Sequence, residues 1–222
     1  MLTTVHGQQV VIDGGKAGIL VELSAQTGKL LWKLPVGVHS GHDNDGLLTE
    51  NATPASPIPL PAKFDLEPGV FGGVESQLAT NGSTTFAAVN NLAVPLSVKG
   101  VTESTKAFEA SIGKATGEMI AVNQDTGKIE WDDQLPSTPY GAAAVTNNVV
   151  FTTTYNGNLY AFNATTGAIL LKTPLSAGTN APVTIDGDYV IVGAGVAFTT
   201  GRALIIAYKL GAKGKLPDTV GS

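Results

Sequence analysis

The segment Gly37–Gly46, with the sequence GVHSGHDNDG, concentrates side chains that can bind a metal ion. It holds two of the three histidines of the chain, His39 and His42, followed by Asp43 and Asp45. Imidazoles in His-x-x-His spacing with carboxylates nearby suit zinc or another transition metal. The DNDG end resembles part of a calcium loop, but it lacks the regular spacing and the closing glutamate. We therefore predict these four residues as candidate ligands of a divalent metal, with a solvated polar loop as the alternative.

Carboxylates in and after this segment offer a second kind of chemistry. Asp43 or Asp45 paired with Glu75 could serve as acid and base in glycoside hydrolysis, which requires carboxyl groups roughly 5–10 Å apart. These three residues are the candidate catalytic groups. The chain has no Gly-x-Ser-x-Gly elbow, so a triad of the α/β-hydrolase type is not indicated.

Composition limits the partners and the covalent chemistry that are open to the chain. Its 222 residues include 27 glycines, and only 14% are charged, a mixture that favours strands joined by tight turns. The net charge of −5 argues against a nucleic-acid partner, which would require a basic face. The absence of cysteine excludes disulfides, thiolate metal sites and cysteine nucleophiles. No apolar stretch is long enough to span a membrane, and the first residues lack the pattern of a signal peptide.

Three segments repeat one pattern, which predicts the architecture. They are GILVELSAQTGKLLWKLP ending at Pro35, GEMIAVNQDTGKIEWDDQLP ending at Pro136, and GNLYAFNATTGAILLKTP ending at Pro174. Each consists of a strand, a turn ending in Thr-Gly and a second strand, and a predicted hairpin precedes each copy. The turn glycines Gly127 and Gly167 are about 40 residues apart, as in four-stranded propeller blades. We predict an all-β fold, a β-propeller of four-stranded antiparallel blades with about four blades in this chain.

The blades are predicted at about 1–36, 71–136, 139–175 and 180–210, with residues 211–222 as a tail. Two insertions, at 37–70 and 92–115, interrupt the regular spacing. The connections that carry them emerge at one face of such a meander, so both insertions and Gly37–Gly46 should lie on that face. Long loops in a compact repeat are usually functional or disordered. We therefore predict that the insertion-bearing face binds the ligand.

Residues next to the insertions complete the predicted site. Phe71 and Glu75 begin the second blade around two glycines that permit close backbone approach, and Glu75 is expected near the central axis. Asn90 and Asn91 stand where the second insertion begins. We predict Phe71, Asn90 and Asn91 as ligand-binding residues.

The repeat resembles that of the PQQ-like β-propellers, whose pattern is Ala-x-Asp-x-x-Thr-Gly-Lys-x-x-Trp. Gln26–Trp32 (QTGKLLW) and Asp125–Trp131 (DTGKIEW) match the end of this pattern, whereas the third copy has Leu171 at the tryptophan position. The family includes quinoprotein dehydrogenases and non-enzymatic relatives such as the outer-membrane assembly lipoprotein. The resemblance covers most of the chain and is more specific for architecture than for activity.

This resemblance implies that PQQ is the cofactor, and the sequence shows whether the residues that would hold it are present. The dehydrogenases of the family bind PQQ with calcium between a tryptophan floor and, commonly, a vicinal disulfide. Cysteine is absent here, and Trp32 and Trp131 occupy a repeat position suited to packing between blades. We therefore expect no tight PQQ binding by this chain alone.

The resemblance also bears on assembly and location. Family dehydrogenases usually close rings of about seven or eight blades, so the four predicted blades resemble the C-terminal half of a longer propeller. Exposed terminal blades predict a homo-oligomer, unless the four blades close on themselves. The family implies a periplasmic or extracellular location, although no signal peptide is visible.

Three functions stay open on the sequence. The first is a module that binds a small molecule or a protein through its loop-rich face. The second is a PQQ-dependent quinoprotein oxidoreductase. The third is a metal- or carboxylate-dependent hydrolase such as a glycosidase.

Overall fold

A computed structural model describes residues 1–41, 63–97, 100–101, 105–196 and 199–213. The elements of its first half are β1 (Leu2–Val5), β2 (Gln8–Gly15), β3 (Ile19–Ser24), β4 (Leu30–Pro35), β5 (Lys63–Leu66), β6 (Ala79–Thr80), β7 (Thr84–Asn91), β8 (Val94–Ser97), β9 (Gly100–Val101) and α1 (Thr105–Ile112). Those of its second half are β10 (Thr116–Asn123), β11 (Ile129–Leu135), β12 (Ala144–Thr146), β13 (Val149–Thr154), β14 (Asn158–Asn163), β15 (Ile169–Pro174), β16 (Thr184–Asp186), β17 (Tyr189–Ala194) and β18 (Leu204–Lys209).

Four antiparallel sheets follow one another along the chain as blades do. The first has the order β1-β2-β3-β4, the second β11-β10-β7-β6 and the third β12-β13-β14-β15. The fourth contains three strands within the described residues, β16-β17-β18. The prediction of an all-β propeller of four-stranded antiparallel blades is confirmed. In the part of the chain that is described, no helix is both long and apolar enough to cross a membrane.

The same turn closes the outer hairpin of the first three sheets. Gly28, Gly127 and Gly167 have φ values of 71°, 64° and 76°, a region that glycine enters without a Cβ penalty. Each turn begins at a short polar residue: Asn123 Oδ1 accepts a hydrogen bond from the Thr126 amide at 3.0 Å. Ser24 and Asn163 accept the corresponding amide bonds in the other two copies. A serine or asparagine can therefore replace the aspartate of the family pattern, because the turn needs only a side-chain oxygen.

The repeat tryptophans lie between neighbouring sheets. Trp131 is 9% exposed, with its ring centroid 5.9 Å from that of Phe86 and 6.0 Å from that of Phe162. Its indole nitrogen donates to the Ala164 carbonyl oxygen of the third sheet at 2.9 Å. Trp32 joins the first sheet to the second in the same way, since its indole donates to the Gln124 carbonyl oxygen at 2.8 Å. Burial of a ring of this size contributes on the order of 2–3 kcal/mol.

The two insertions meet in a fifth, small sheet. β5, from the end of the first insertion, pairs with β8 of the second, with Leu66 opposite Val94. Both of these side chains are buried in one small cluster. α1 follows in the second insertion, and its Ile112 packs in a cluster with Leu92 and Tyr140.

Candidate functional site

Glu75 projects from a backbone segment that two sheets hold in place. Gly73 exchanges two backbone hydrogen bonds with Asn90, and the Val74 amide donates to the Gly15 carbonyl oxygen at 3.0 Å. Gly73 has a φ of 75°, and a Cβ there would lie 2.6 Å from the Lys16 carbonyl oxygen. Only glycine fits this position, so it fixes the direction in which the chain reaches Glu75.

The Glu75 carboxylate faces a lysine from the first sheet. Lys16 Nζ lies 3.3 Å from Glu75 Oε1, and the Glu75 side chain is 17% exposed. The same ammonium donates to the Val70 carbonyl oxygen at 2.7 Å and lies 5.1 Å from the centre of the Phe71 ring. Two of the predicted site residues, Phe71 and Glu75, thus lie in one cluster next to Lys16, which the sequence analysis did not single out.

A cleft of about 520 Å³ opens beside Glu75. Its lining includes Asp13 and Gly14 of the first sheet and Val74, Ser76 and Gln77 beside Glu75. Ser76 Oγ is buried and has no hydrogen-bond partner among the described residues. The cleft is thus lined by two acidic residues, Glu75 and Asp13, while the Ser76 hydroxyl group lies buried beside it with unused hydrogen-bonding capacity.

Asn91 is a structural link to the start of the segment Gly37–Gly46. It is 5% exposed, its Oδ1 accepts from the Val38 amide at 2.9 Å, and its Nδ2 donates to Glu118 Oε1 at 2.9 Å. These bonds occupy both ends of the amide. Each end keeps one further site, a lone pair on Oδ1 and a proton on Nδ2, and Asn91 lines a cleft with Asp65 and Glu67, so its predicted contact with a ligand stays a prediction.

Asn90 differs from its neighbour. It is 1% exposed, and neither its Oδ1 nor its Nδ2 has a hydrogen-bond partner within the described chain. Strand alternation directs it away from Asn91, to the side on which Ala88 packs against the third sheet. Asn90 and Asn91 therefore do not line one pocket together.

His39 is held by the backbone. Its Nε2 lies 3.1 Å from the carbonyl oxygens of both Gly18 and Val36. Because a carbonyl oxygen only accepts, Nε2 carries the proton, and a metal would have to bind through Nδ1. Among the described residues, no group of three or more His, Asp and Glu side chains is arranged to hold a metal ion.

The remaining predicted ligands, His42, Asp43 and Asp45, lie outside the described residues. The metal site and the pairing of Asp43 or Asp45 with Glu75 therefore stay predictions. Glu75 and His39 are the two members of those sets whose surroundings are described.

Aromatic side chains cover the same face next to the cluster. Phe71 is 41% exposed and makes an edge-to-face contact with Phe108 of α1 at 5.0 Å between ring centroids. Tyr140 donates its hydroxyl to the Phe71 carbonyl oxygen at 2.7 Å, and its ring lies 6.1 Å from that of Tyr155. Burial, and secondarily the Glu109 carboxylate, raises the pKa of Tyr155 above its usual value. The sequence did not single out Phe108, Tyr140 or Tyr155, although each lies in or beside a connection between strands.

Sequence and structure comparisons both find similarity to β-propeller proteins. A sequence model described as outer membrane protein assembly factor BamB, of the PQQ_2 type, matches residues 115–209. The whole chain superposes on quinohemoprotein alcohol dehydrogenase ADHIIG from Pseudomonas putida, with a TM-score of 0.73 and 16% identity. The chain has a β-propeller fold, and its residues 115–209 match the model of PQQ-like repeats. Among curated proteins, none matches its sequence.

Two further dehydrogenases share the fold of this propeller. Quinohemoprotein alcohol dehydrogenase from Comamonas testosteroni has a TM-score of 0.68 at 20% identity, covering 99% of the chain and 38% of the dehydrogenase. A europium-containing methanol dehydrogenase has a TM-score of 0.61 at 17% identity, covering 88% and 38%. The chain covers 40% of the Pseudomonas enzyme. It therefore spans about two fifths of the length of these relatives, and at such identities the likeness concerns the fold.

The described residues do not fit PQQ as a complete site. Trp32 and Trp131 donate their indole N–H groups to carbonyl oxygens of the next sheet, and their rings cover Gly127 and Gly167. Both rings are thereby committed to packing between blades. The chain also has no cysteine for a vicinal disulfide. The described residues therefore provide neither the tryptophan floor nor the vicinal disulfide between which, by the family resemblance, PQQ would be held.

Proposed function

We propose that this PQQ-like propeller is a binding module that takes a polyol or sugar in the cleft beside Glu75. The observation that carries the proposal is the fixed, mostly buried carboxylate at the cleft. Gly73 and Val74 anchor its backbone to two sheets, and the Lys16 ammonium stands 3.3 Å from its oxygen. A carboxylate held in this way accepts hydrogen bonds without first having to be ordered.

The chemistry of the cleft supports a ligand rich in hydroxyl groups. Glu75 and Asp13 line the cleft, and their carboxylates accept hydrogen bonds from hydroxyl groups. Hydrogen bonds that involve a charged group contribute about 1.5–3 kcal/mol each. Phe71 does not line the cleft itself; its ring, 41% exposed, lies 5.1 Å from the Lys16 ammonium that faces Glu75.

The change Glu75→Gln is expected to weaken binding of such a ligand at least about tenfold, which corresponds to about 1.4 kcal/mol. The amide keeps the size of the side chain but removes its charge. Isothermal titration calorimetry against a panel of neutral sugars and polyols measures the effect. Glu67→Gln is the matched control, because Glu67 lines a different cleft.

Two results would contradict the proposal. One is a wild-type protein that binds no member of the panel at millimolar concentration. The other is a Glu75→Gln variant that binds as tightly as wild type, since the ligand would then lie elsewhere.

The three dehydrogenase relatives favour a second candidate, a PQQ-dependent oxidoreductase in which this chain supplies part of the ring. Because Trp32 and Trp131 are committed to packing, we expect the chain alone to bind no PQQ tightly and to catalyse no dye-linked oxidation of alcohols or sugars. Reconstitution with PQQ and calcium, followed by equilibrium dialysis and a dye-reduction assay, tests both points. Sustained turnover would favour the PQQ-dependent oxidoreductase over the binding module as the function of this chain.

A further inference from the structure

Each inner sheet has two apolar faces, and each face packs against a neighbour. We call the forward face the one that packs on the next sheet along the chain, and the rear face the one that packs on the preceding sheet. Leu20, on the forward face of the first sheet, clusters with Ala87 and Ile120 on the rear face of the second. Met119, on the forward face of the second sheet, clusters with Tyr160 on the rear face of the third. Every internal junction thus joins a forward face to a rear face.

The forward face of the fourth sheet is open. Leu20, Met119 and Leu159 each stand four residues before the end of the third strand of their sheet, and Ile205 holds this position in β18. The first three are 0%, 0% and 1% exposed, whereas Ile205 is 83% exposed. Tyr189, on the same face of the sheet, is 42% exposed. An apolar residue therefore occupies a junction position with nothing packed on it.

The rear face of the first sheet is open as well. On this face, one apolar residue from each strand pairs with its neighbour on the next strand. The four residues form a row across the sheet: Leu2, Val11, Leu23 and Leu30. Leu2 is 62% exposed, and Val11 and Leu23 are partly exposed. Leu30 at the outer edge is 50% exposed, but its equivalent in the third sheet, Ile169, is 52% exposed, so the three inner positions of the row show that the face is open.

The corresponding row of the third sheet is covered. It contains Val150 and Phe162, which are both 0% exposed beneath the second sheet. The row of the first sheet keeps the apolar character of a junction although no sheet covers it.

The two open faces show that the four sheets do not close into a ring within the described residues. Ile205 and Leu2 would be covered if the fourth sheet packed on the first, and they are among the most exposed apolar side chains. One open face is of the forward kind and the other is of the rear kind. A second copy of the chain offers the complement of both.

We propose that two copies of this chain associate into a ring of eight sheets. The forward face of the fourth sheet in each copy packs on the rear face of the first sheet in the other. A two-fold axis along the ring axis relates the copies, and the two equivalent junctions leave neither face exposed. The same kind of contact as the internal junctions thus completes the ring.

Sedimentation equilibrium on the full chain tests the assembly. Wild type is expected at twice the chain mass of 22.7 kDa. Ile205→Asp and Leu2→Asp are each expected to yield a single-chain mass and a dissociation constant at least about 100-fold higher, because one change introduces a buried charge at both junctions. Leu170→Asp is the control: Leu170 is 57% exposed on β15, in a sheet with both faces covered, and this variant should remain a dimer.

Several outcomes would overturn the ring. A wild-type monomer at about 100 μM would do so, as would a mass of three or more chains. A dimer that survives either Ile205→Asp or Leu2→Asp would indicate pairing of like faces instead. If circular dichroism shows that an aspartate variant is unfolded, Ile205→Ala should still raise the dissociation constant at least about tenfold, and an unchanged constant would refute the proposal.

Discussion

Trp131→Ala is expected to lower the free energy of unfolding by about 3–5 kcal/mol, the range for large aromatic residues truncated in a core. The ring is 9% exposed between Phe86 and Phe162, and its indole N–H bonds to the Ala164 carbonyl oxygen. Truncation leaves a cavity between the second and third sheets and an unpaired carbonyl oxygen. Urea unfolding followed by circular dichroism measures the loss, since this signal does not depend on the tryptophan itself.

Leu171→Ala is the matched control for this change. Leu171 holds the tryptophan position of the third copy but is 43% exposed. Its truncation is expected to cost less than about 1 kcal/mol, as exposed substitutions usually do. Equal losses at positions 131 and 171 would show that the repeat position, rather than burial between two sheets, determines the effect.

Gly127→Ala is expected to destabilise the protein by about 2–4 kcal/mol through two separable effects. Gly127 has a φ of 64°, which an L side chain adopts at a cost of roughly 1–2 kcal/mol. A Cβ there would also lie 2.7 Å from the ring of Trp32, so the tryptophan must shift. The same urea titration measures the total.

Gly28→Ala isolates the backbone effect. Gly28 occupies the same turn of the first copy with a φ of 71°, but a Cβ there meets nothing within 4 Å. This variant should show the backbone cost alone, and the difference between the two variants measures the contact with Trp32. If Gly28→Ala were as costly as Gly127→Ala, packing of Trp32 over the turn would contribute nothing to stability.

The blades could be predicted because their signals are local. The Thr-Gly turns need a glycine with positive φ, and Asn147 and Asn148 adopt φ values of 44° and 63° in a hairpin turn of the third sheet. Such preferences depend on a few neighbouring residues and not on the rest of the fold. The repeat therefore revealed both the all-β class and the order of strands within each blade.

The candidate site stays a prediction. Phe71 and Glu75 were chosen because they stand beside two glycines at the start of a blade, and the structure places both of them next to Lys16. Lys16 could not be assigned, since its contact with them depends on how the first sheet packs on the second. Asn90 and Asn91 were grouped by adjacency, but strand alternation directs neighbouring side chains to opposite faces.

The sequence by itself determined the repeat, the turns and the alternation that gives each strand two faces. Alternation marks a side chain as belonging to one face but does not say what covers that face. Only the tertiary structure decided that Leu20 is buried while Ile205, at the equivalent position, is 83% exposed. It also decided that the Glu75 carboxylate meets the Lys16 ammonium. The physical reason is that burial and charge pairing depend on contacts between sheets distant in sequence, whereas turns and strand periodicity arise within a few residues.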